Sequence, residues 1–145
     1  MRIETGGPRC AVRRVYGFVD VLGLLVGTEY ENDKRAKDVV ETAMKQSTET
    51  WVATANGETA CIWGLTPRDI MSEEAYIWSL TTDVVRRWPV VFLRCTKIAL
   101  DEMLKRHSRL VGLCEDERSI KWLRVLGATL GPDYLGHQTF EIRRK

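Results

Sequence analysis

The segment 110–128 constrains the fold of this chain more strongly than any other part of the sequence. A short apolar run at 110–114 leads into an acidic turn, and an amphipathic stretch then ends at Gly127-Ala128. An apolar run of this length predicts a buried strand, and the helical spacing that follows predicts a helix. Gly127 accepts positive φ and is therefore expected to end that helix. The chain must contain a buried strand that passes directly into a helix.

The size and composition predict one ordinary soluble domain. The 145 residues are 44% hydrophobic and 29% charged, which allows a real core without disulfides or metals. The net charge of +2 favours neither nucleic acid nor strong membrane binding, and no apolar run reaches the length of a membrane span. Residues 1–8 contain no hydrophobic signal-peptide region and are predicted to be a flexible arm, which leaves a single domain at 9–145.

The cysteines predict a reducing compartment and no metal site. None stands in a C-x-x-C pair, and only two histidines accompany them, so zinc-site spacing is absent from the sequence. Each cysteine lies in an apolar stretch, where a free thiol packs like a small hydrophobe. We therefore predict free, buried thiols in a cytoplasmic protein. The four cysteines are Cys10, Cys61, Cys95 and Cys114.

Two helices are predicted in the first third of the chain, after a short strand at 10–15. Apolar residues recur at three- and four-residue steps between positions 15 and 26, but Gly23 and Gly27 weaken this pattern, so we expect a short or broken helix. Asp33 is predicted to cap the second helix. The apolar face of that helix is formed by Ala36, Val39, Val40 and Ala43.

Asn56-Gly57 is the clearest local signal in the sequence. It separates two apolar segments, 51–55 and 59–63, and both residues tolerate the positive φ of a type I′ turn, so it predicts a β-hairpin. The segment 75–80 that follows is apolar on both faces, which is typical of a central strand.

The second half of the chain predicts a long helix and a final strand. Apolar residues at 92–103 follow helical spacing, and Pro89 suits the first turn of that helix. The Gly-Pro-Asp sequence at 131–133 predicts a turn, and 138–142 predicts the last strand. The whole order indicates an α/β (α+β mixed) fold, with a central mixed sheet of about six or seven strands flanked by about four helices.

This order, together with the Gly127-Ala128 ending, resembles the GNAT superfamily, the acyl-CoA N-acyltransferases. The likeness covers nearly the whole chain as topology and about the last two fifths at residue level. Asp116 stands at the Asn position of the final family motif, and Ser119 stands at its small-residue position. The resemblance implies a GNAT-like sheet in which the strand at 76–80 and the strand at 110–114 splay apart.

The final motif departs from the family at one chemically important position. Trp122-Leu123 stands where the family has an aliphatic residue followed by Tyr. In active members that Tyr donates a proton to the departing CoA thiolate, and Leu123 has no proton to donate. We assign no catalytic residue.

The cofactor-binding motif of the family falls between the central strand and the long helix. Arg86 stands at the Arg/Gln position, while Pro89 and Val91 stand where the family has glycines. Pro removes an N–H donor, and bulky side chains block close approach to the backbone. Arg86 and Arg87 retain side chains that can hold a phosphate. The cofactor-binding candidates that the resemblance implies, for acetyl-CoA, are Leu80, Thr82, Arg86, Arg87, Asp116 and Ser119.

Within the superfamily, the sequence is most similar to short GNAT-like internal virion proteins of short-tailed podophages, which share the helix pattern at 119–128. This likeness implies a phage protein in the host cytoplasm or the virion, with a phage or host protein as partner and a degenerate acyl-CoA site. The alternative is an active N-acetyltransferase, in which an amine attacks acetyl-CoA while N–H groups around 80–82 polarise the thioester. A third reading is a small αβ domain with an accidental likeness.

Several polar residues have a catalytic and a structural interpretation. His107 is either a general base or a solvated histidine at a helix C-terminus. Glu73 and Glu74 either deprotonate an amine or form a solvated acidic loop. Asp116 either contacts a pantetheine amide or caps a helix.

Three further residues lie where a ligand or partner is expected. Tyr134 and His137 are predicted in a loop near the last strands, where family members place substrate contacts, and the alternative is an ordinary surface position. Trp88 stands beside the two arginines and is expected to line a pocket or a partner surface.

Overall fold

The chain folds into one mixed sheet with helices on both faces. The structure, a computed structural model, describes residues 2–3, 10–69, 73–114 and 117–144, with the backbone alone described at 2, 3 and 118. The strands are β1 (Arg2–Ile3), β2 (Cys10–Val15), β3 (Glu49–Ala55), β4 (Glu58–Pro67), β5 (Glu74–Thr81), β6 (Arg109–Cys114), β7 (Thr129–Tyr134) and β8 (His137–Arg143). The helices are α1 (Phe18–Leu24), α2 (Lys34–Gln46), α3 (Val84–Arg87), α4 (Pro89–Arg106) and α5 (Glu117–Val125).

The sheet has the spatial order β1-β2-β3-β4-β5-β6-β8-β7. Every neighbouring pair is antiparallel except β5 and β6, which are parallel. The predicted mixed α/β sheet is confirmed. The eight strands and five helices exceed the expected numbers. The reason is that β1 and α3 span only two and four residues, which is too short for a periodic pattern.

Helices α1 and α2 cover one face of the sheet. Val21 and Leu25 at α1 and Val40 of α2 pack against Val52 of β3 and Ile62 of β4. None of these side chains is more than 2% exposed. This burial holds the N-terminal helices on the antiparallel half of the sheet.

Helices α4 and α5 cover the opposite face. The stripe predicted for the long helix is buried at Cys95, Ala99, Leu100 and Met103, and Pro89 is the first residue of α4, as predicted. Helix α4 connects β5 to β6, and α5 follows β6. Because β5 and β6 are parallel, the connections that follow these strands lie together at one end of the sheet.

The local signals for the hairpin and the second helix are confirmed. Asn56 and Gly57 have φ values of 52° and 82°, and Asp33 accepts a hydrogen bond from the Ala36 N–H at 3.0 Å. The prediction that Val39 lies on the buried face of α2 is wrong, since its side chain is 61% exposed. Neighbouring residues of a helix point about 100° apart. Val40 therefore faces the sheet, as predicted, while Val39 faces outward.

The turn predicted at 131–133 is wrong, because these residues lie inside β7. The pairing of β7 with β8 shifts register here, as at a β-bulge, and Thr139 donates to the Pro132 carbonyl at 2.6 Å. Pro132 is tolerated because β7 is an edge strand and needs no N–H on its outer side. The turn lies instead at Leu135 and Gly136, which have φ values of 49° and 84°.

The cysteine prediction is confirmed: Cys10, Cys61, Cys95 and Cys114 are free and buried. Burial raises the pKa of Cys61 to about 12, and burial with the neighbouring Cys10 thiol raises that of Cys95 to about 12. Thiols that resist ionisation are poor nucleophiles and poor metal ligands. The flexible arm predicted at 1–8 lies mostly outside the described residues and stays a prediction.

Candidate functional site

The two parallel strands at the centre of the sheet diverge along their length. Strand β5 pairs with β6 only from Glu74↔Arg109 to Tyr76↔Val111. At Gly112 the strands are still close, because an added Cβ would lie 2.8 Å from the Ile77 carbonyl oxygen. The pairing then stops, so the predicted splay is confirmed. We call the gap between residues 77–81 and residues 112–114 the wedge.

The edge of β5 presents backbone groups to the wedge. The Thr82 N–H donates to the Ala60 carbonyl of β4 at 2.9 Å. Because bonding alternates along an antiparallel ladder, the N–H and C=O groups of Ser79 and Thr81 point the other way, towards β6. Tyr30 donates its hydroxyl to the Thr81 carbonyl at 2.9 Å. The wedge therefore offers the N–H groups of Ser79 and Thr81 as donors, while the Thr81 carbonyl already accepts the hydrogen bond from Tyr30.

Two of the cofactor-binding candidates have structural partners beside the wedge. The Leu80 side chain packs against the cluster under α1 and α2. The Thr82 side chain is 5% exposed. Its hydroxyl donates to the Thr59 carbonyl at 2.6 Å and accepts the Val84 N–H at 3.2 Å. Thr82 thus anchors the start of α3, and the cofactor roles of both residues stay predictions.

The two candidate arginines lie on α3 and pair with carboxylates of the same chain. Arg86 lies 3.4 Å from Asp83, and Arg87 lies 3.0 Å from Glu58, measured between side-chain nitrogen and oxygen. Both arginine side chains are more than half exposed, so each pair contributes little to stability. The arginines lie on the helix that follows β5, and each positive charge is already paired with a carboxylate of the same chain.

A pair of carboxylates stands at the same connection. Glu29, from the loop after α1, accepts the Asp83 N–H at 3.1 Å. Burial, and then the neighbouring Asp83 carboxyl, raise the pKa of Glu29. Nothing in the sequence indicated this contact, because the two residues are 54 positions apart. The pair lies at the start of α3, the short helix that precedes α4.

The start of α4 lacks one backbone donor. Pro89 is its first residue and has no N–H, and the Phe92 N–H already donates to the Trp88 carbonyl at 3.0 Å. Trp88 is 37% exposed. It lines a recess of about 10 Å³ together with apolar side chains of β2, β3, β4, α3 and α4. A space of this size holds no more than about one water molecule.

Helix α5 approaches α4 through an aromatic contact. The ring centroids of Trp122 and Phe92 are 5.2 Å apart, and their planes are tilted by 50°, a favourable aromatic geometry. Leu123 is half-buried and packs against the core. Ser119 is half-buried in the first half of α5, while Asp116 lies outside the described residues. The cofactor-binding roles predicted for Ser119 and Asp116 stay predictions.

The end of α5 follows the sequence prediction. Gly127 has a φ of 93°, and the Ala128 N–H donates to the Leu123 carbonyl at 2.9 Å. This is the hydrogen bonding of a glycine-terminated helix, and it confirms the predicted helix end.

The general-base candidates Glu73, Glu74 and His107 lie away from the open end of the wedge, which is the end where β5 and β6 are no longer paired. Glu74 pairs with Arg109 at the end where β5 and β6 are hydrogen-bonded, and Glu73 accepts the Ser108 hydroxyl at 2.6 Å. His107 follows α4 at the same end. Burial, and then Arg106, lower the pKa of His107. Its side chain is half-buried, and its Nδ1 has no hydrogen-bond partner among the described residues, so the prediction of a solvated histidine is met only in part.

Tyr134 and His137 do not lie in a free loop. They are the last residue of β7 and the first of β8, and they pair across the hairpin. The prediction of a loop position is wrong because the turn is shorter than expected and consists of Leu135 and Gly136. Tyr134 is 60% exposed, which fits the surface alternative.

A larger recess, of about 260 Å³, lies at the opposite end of α4 from the wedge. It is lined by the second half of α4, the end of α5 and the end of β8. Its position beside the hydrogen-bonded end of β5 and β6 separates it from the diverging backbone. We therefore take the wedge as the candidate site, because β5 there presents backbone groups that do not pair with β6, and titratable side chains lie at the connection that follows β5.

Neither a metal nor a membrane segment is indicated in the described ranges. Residues 10–69, 73–114 and 117–144 contain no group of three or more His, Cys, Asp and Glu side chains placed to hold a metal ion. No helix within these ranges is long and apolar enough to cross a membrane.

No protein-family model matches the chain, and no curated protein sequence matches it. Solved structures do share its fold. The GNAT domain of S. lividans PAT has a TM-score of 0.68 and 17% identity, with 99% of this chain and 97% of that chain covered. The ribosomal-protein-S5-alanine acetyltransferase from Vibrio fischeri has a TM-score of 0.65 and 13% identity, with 99% and 96% covered.

A third structure of the same fold contains a cofactor. RimL, the ribosomal L7/L12 alpha-N-protein acetyltransferase in complex with coenzyme A, has a TM-score of 0.64 and 13% identity, with 99% of this chain and 97% of that chain covered. At these identities the likeness shows the fold alone. The chain has the fold of the GNAT acetyltransferases.

Proposed function

We propose that this GNAT-fold chain has a degenerate acyl-CoA site and acts through protein contacts rather than by acyl transfer. The observation that carries the proposal is the connection from β5 to α4, where Pro89 provides no N–H at the start of α4 and the Glu29 and Asp83 carboxylates lie at the start of α3. A pyrophosphate is held at a helix N-terminus by N–H donors and positive potential. This connection supplies one backbone donor fewer than a helix start normally offers such a ligand, and its two carboxylates oppose the binding of an anion.

The remaining side chains also fit coenzyme A poorly. Arg86 and Arg87, the candidates for phosphate binding, already face Asp83 and Glu58. The contact between Phe92 and Trp122 occupies space between α4 and α5. The residues present at this connection therefore do not fit the cofactor.

The biological part of the proposal rests on the resemblance at 119–128 to phage internal virion proteins. We propose a phage protein that is present in the host cytoplasm or the virion and binds a phage or host protein. Mass spectrometry of purified virions of the encoding phage tests this directly. Detection at stoichiometric amounts supports a virion protein, and absence from virions would leave only the role in the infected cell.

Cofactor binding is tested by titrating acetyl-CoA and following both heat and melting temperature. A ligand that binds the native state must raise its stability by mass action, so we expect no shift at millimolar acetyl-CoA. A clear shift that is lost in Arg86→Ala, but kept in the matched control Arg35→Ala on the exposed side of α2, would overturn the degenerate site.

An active N-acetyltransferase is the second candidate, and one observation favours it. The wedge is open, and the N–H groups of Ser79 and Thr81 point into it, where they are suited to polarise a carbonyl. Proteins of the same fold include acetyltransferases and a complex with coenzyme A. The test measures release of the free CoA thiol with a panel of amines. Amine-dependent release above the rate without protein would establish this candidate and exclude the first.

A further inference from the structure

Helix α1 is apolar on all its sides. Its seven residues, Phe18–Leu24, include Asp20 as the only polar side chain. A helix that is hydrophobic all round is normally buried all round. The inner side of α1 meets this expectation, since Val21 and the following Leu25 are 0% exposed. The outer side has no cover within the described part of the chain.

The outer side of α1 carries a continuous row of large apolar side chains. Val19, Leu22 and Val26 are 84%, 39% and 64% exposed, and Tyr16, just before the helix, is 86% exposed. Residues three and four positions apart lie on one side of a helix, which places Val19 and Leu22 together, while Tyr16 precedes the helix and Val26 follows its end. We call these four residues the α1 stripe. Contiguous exposed apolar patches of this kind mark interaction sites.

The charges beside the α1 stripe are already satisfied within the chain. Arg13 donates to both carboxylate oxygens of Asp20, at 2.9 Å and 3.0 Å. The Arg14 guanidinium lies over the Tyr16 ring, 5.7 Å from its centroid. The four side chains of the stripe carry no charge themselves, and Arg14 also donates to the Thr48 carbonyl at 3.2 Å. The matching partner of the stripe is another apolar surface.

Gly23 leaves a gap beside the side chains of the stripe, into which the stripe of a second copy can pack. It lies four residues after Val19 and three before Val26, on the same side of the helix. A Cβ built on Gly23 meets nothing within 4 Å, so a second backbone can approach closely here. When two copies cross near Gly23 about a twofold axis, the ridge of each packs against the glycine of the other.

The area of the stripe suits a reversible dimer. At these exposures the four side chains offer roughly 300–500 Å² on each copy. Two copies then bury roughly 600–1,000 Å² through the stripe alone, and the surrounding rim brings the interface close to the lower limit for specific association. A larger partner is not needed to account for a patch of this size.

We propose that two copies of this chain associate through the α1 stripe, with their α1 helices crossing at Gly23. The interface lies on the face of the sheet opposite α4 and α5 and does not involve the cofactor-binding candidates. It therefore stands or falls independently of the function proposed for the wedge.

Sedimentation velocity of the full chain, from micromolar to near-millimolar concentration, tests the proposal. We expect a concentration-dependent dimer for the unaltered protein. Val19→Glu and Val26→Glu should each weaken it by at least about tenfold, because a charge is buried without a partner. Both sites are mostly exposed, so circular dichroism and melting temperature should stay unchanged. Val125→Glu, at a site on α5 that is 69% exposed, is the matched control and should dimerise normally.

Gly23→Leu separates close helix packing from general apolar adhesion. The substitution should stabilise α1 itself, since Gly is a poor helix former, yet weaken the dimer by blocking the crossing. Tighter association in Gly23→Leu would overturn the proposal. A monomer at every concentration, or a dimer that persists in both Glu variants, would overturn it as well.

Discussion

The two ends of the β5–β6 strand pair are held by different kinds of contact. At the closed end, the strands are hydrogen-bonded from Glu74 to Tyr76 and joined by Arg109, which pairs with Glu74 and Glu141. At the open end, the backbone is unpaired and its surroundings are set by side chains from distant loops, such as Glu29. The closed end joins β5 to β6 within the sheet, while the open end contains the candidate site. A chain can therefore keep the fold and change the site.

The largest expected effect is at Gly112, where the closed end meets the wedge: Gly112→Val should destabilise the protein by about 3 kcal/mol. An added Cβ would lie 2.7 Å from the Phe140 ring and 2.8 Å from the Ile77 carbonyl oxygen, so the strands must separate. Urea denaturation measures the loss. Gly23→Ala, where nothing lies within 4 Å, is the control and should lose no stability. Equal stability of the two variants would refute the account of the closed end.

At the open end, Trp122→Ala should cost about 2 kcal/mol, because it removes a partly buried aromatic contact with Phe92. It should also open the space between α4 and α5, which an increase in binding of an apolar dye would report. Phe92→Leu, which keeps apolar volume, should cost less. A Trp122→Ala variant of unchanged stability would show that the aromatic contact does not close this space.

Glu49, on β3 at the closed end, should show the ordinary pH dependence of a paired carboxylate. Burial alone would raise the pKa of Glu49, but hydrogen bonds from Arg106 and Trp51 lower it below its ordinary value. Its contribution is present above the unfolded pKa and is lost as pH falls through the folded pKa. Glu49→Gln should therefore cost about 1 kcal/mol at neutral pH and progressively less below about pH 4. A constant difference across this range would contradict the assignment.

Glu29, at the open end, should show the opposite sign. Its pKa is raised, first by burial and then by Asp83, so the protonated form is favoured in the folded protein. Stability associated with that proton is present below the unfolded pKa and is lost as pH rises through the folded pKa. Because Glu29 is exposed, Glu29→Gln should gain only a few tenths of a kcal/mol at neutral pH and nothing near pH 4. Glu31→Gln, two residues away, is the control and should leave the stability unchanged. A loss of stability in Glu29→Gln at neutral pH would contradict a raised pKa of Glu29 in the folded protein.

Most of the fold was predictable from the sequence. The hairpin at Asn56-Gly57, the cap at Asp33 and the helix end at Gly127 each depend on the backbone preference of one or two residues. Helix α3 was missed because four residues leave no periodic signal. The turn at 131–133 was misplaced because Gly and Pro are also tolerated in a bulged edge strand.

The candidate site was predictable only in part. The sequence indicated the absence of a proton donor at Leu123 and of backbone donors around Pro89, since both follow from residue type. It did not indicate that Arg87 pairs with Glu58, or that Glu29 reaches Asp83. These contacts join segments that only the folded sheet brings together.

The sequence by itself determined most of the strands and helices and which chemical groups are missing from the family motifs, because such features depend on residue type and on neighbours a few positions away. The tertiary structure decided which charges stand beside the wedge and which apolar side chains remain uncovered on α1. Both depend on packing between segments far apart in the chain. Val19, Leu22 and Val26 read as ordinary core residues in the sequence, and only the direction in which α1 lies on the sheet leaves them facing outward.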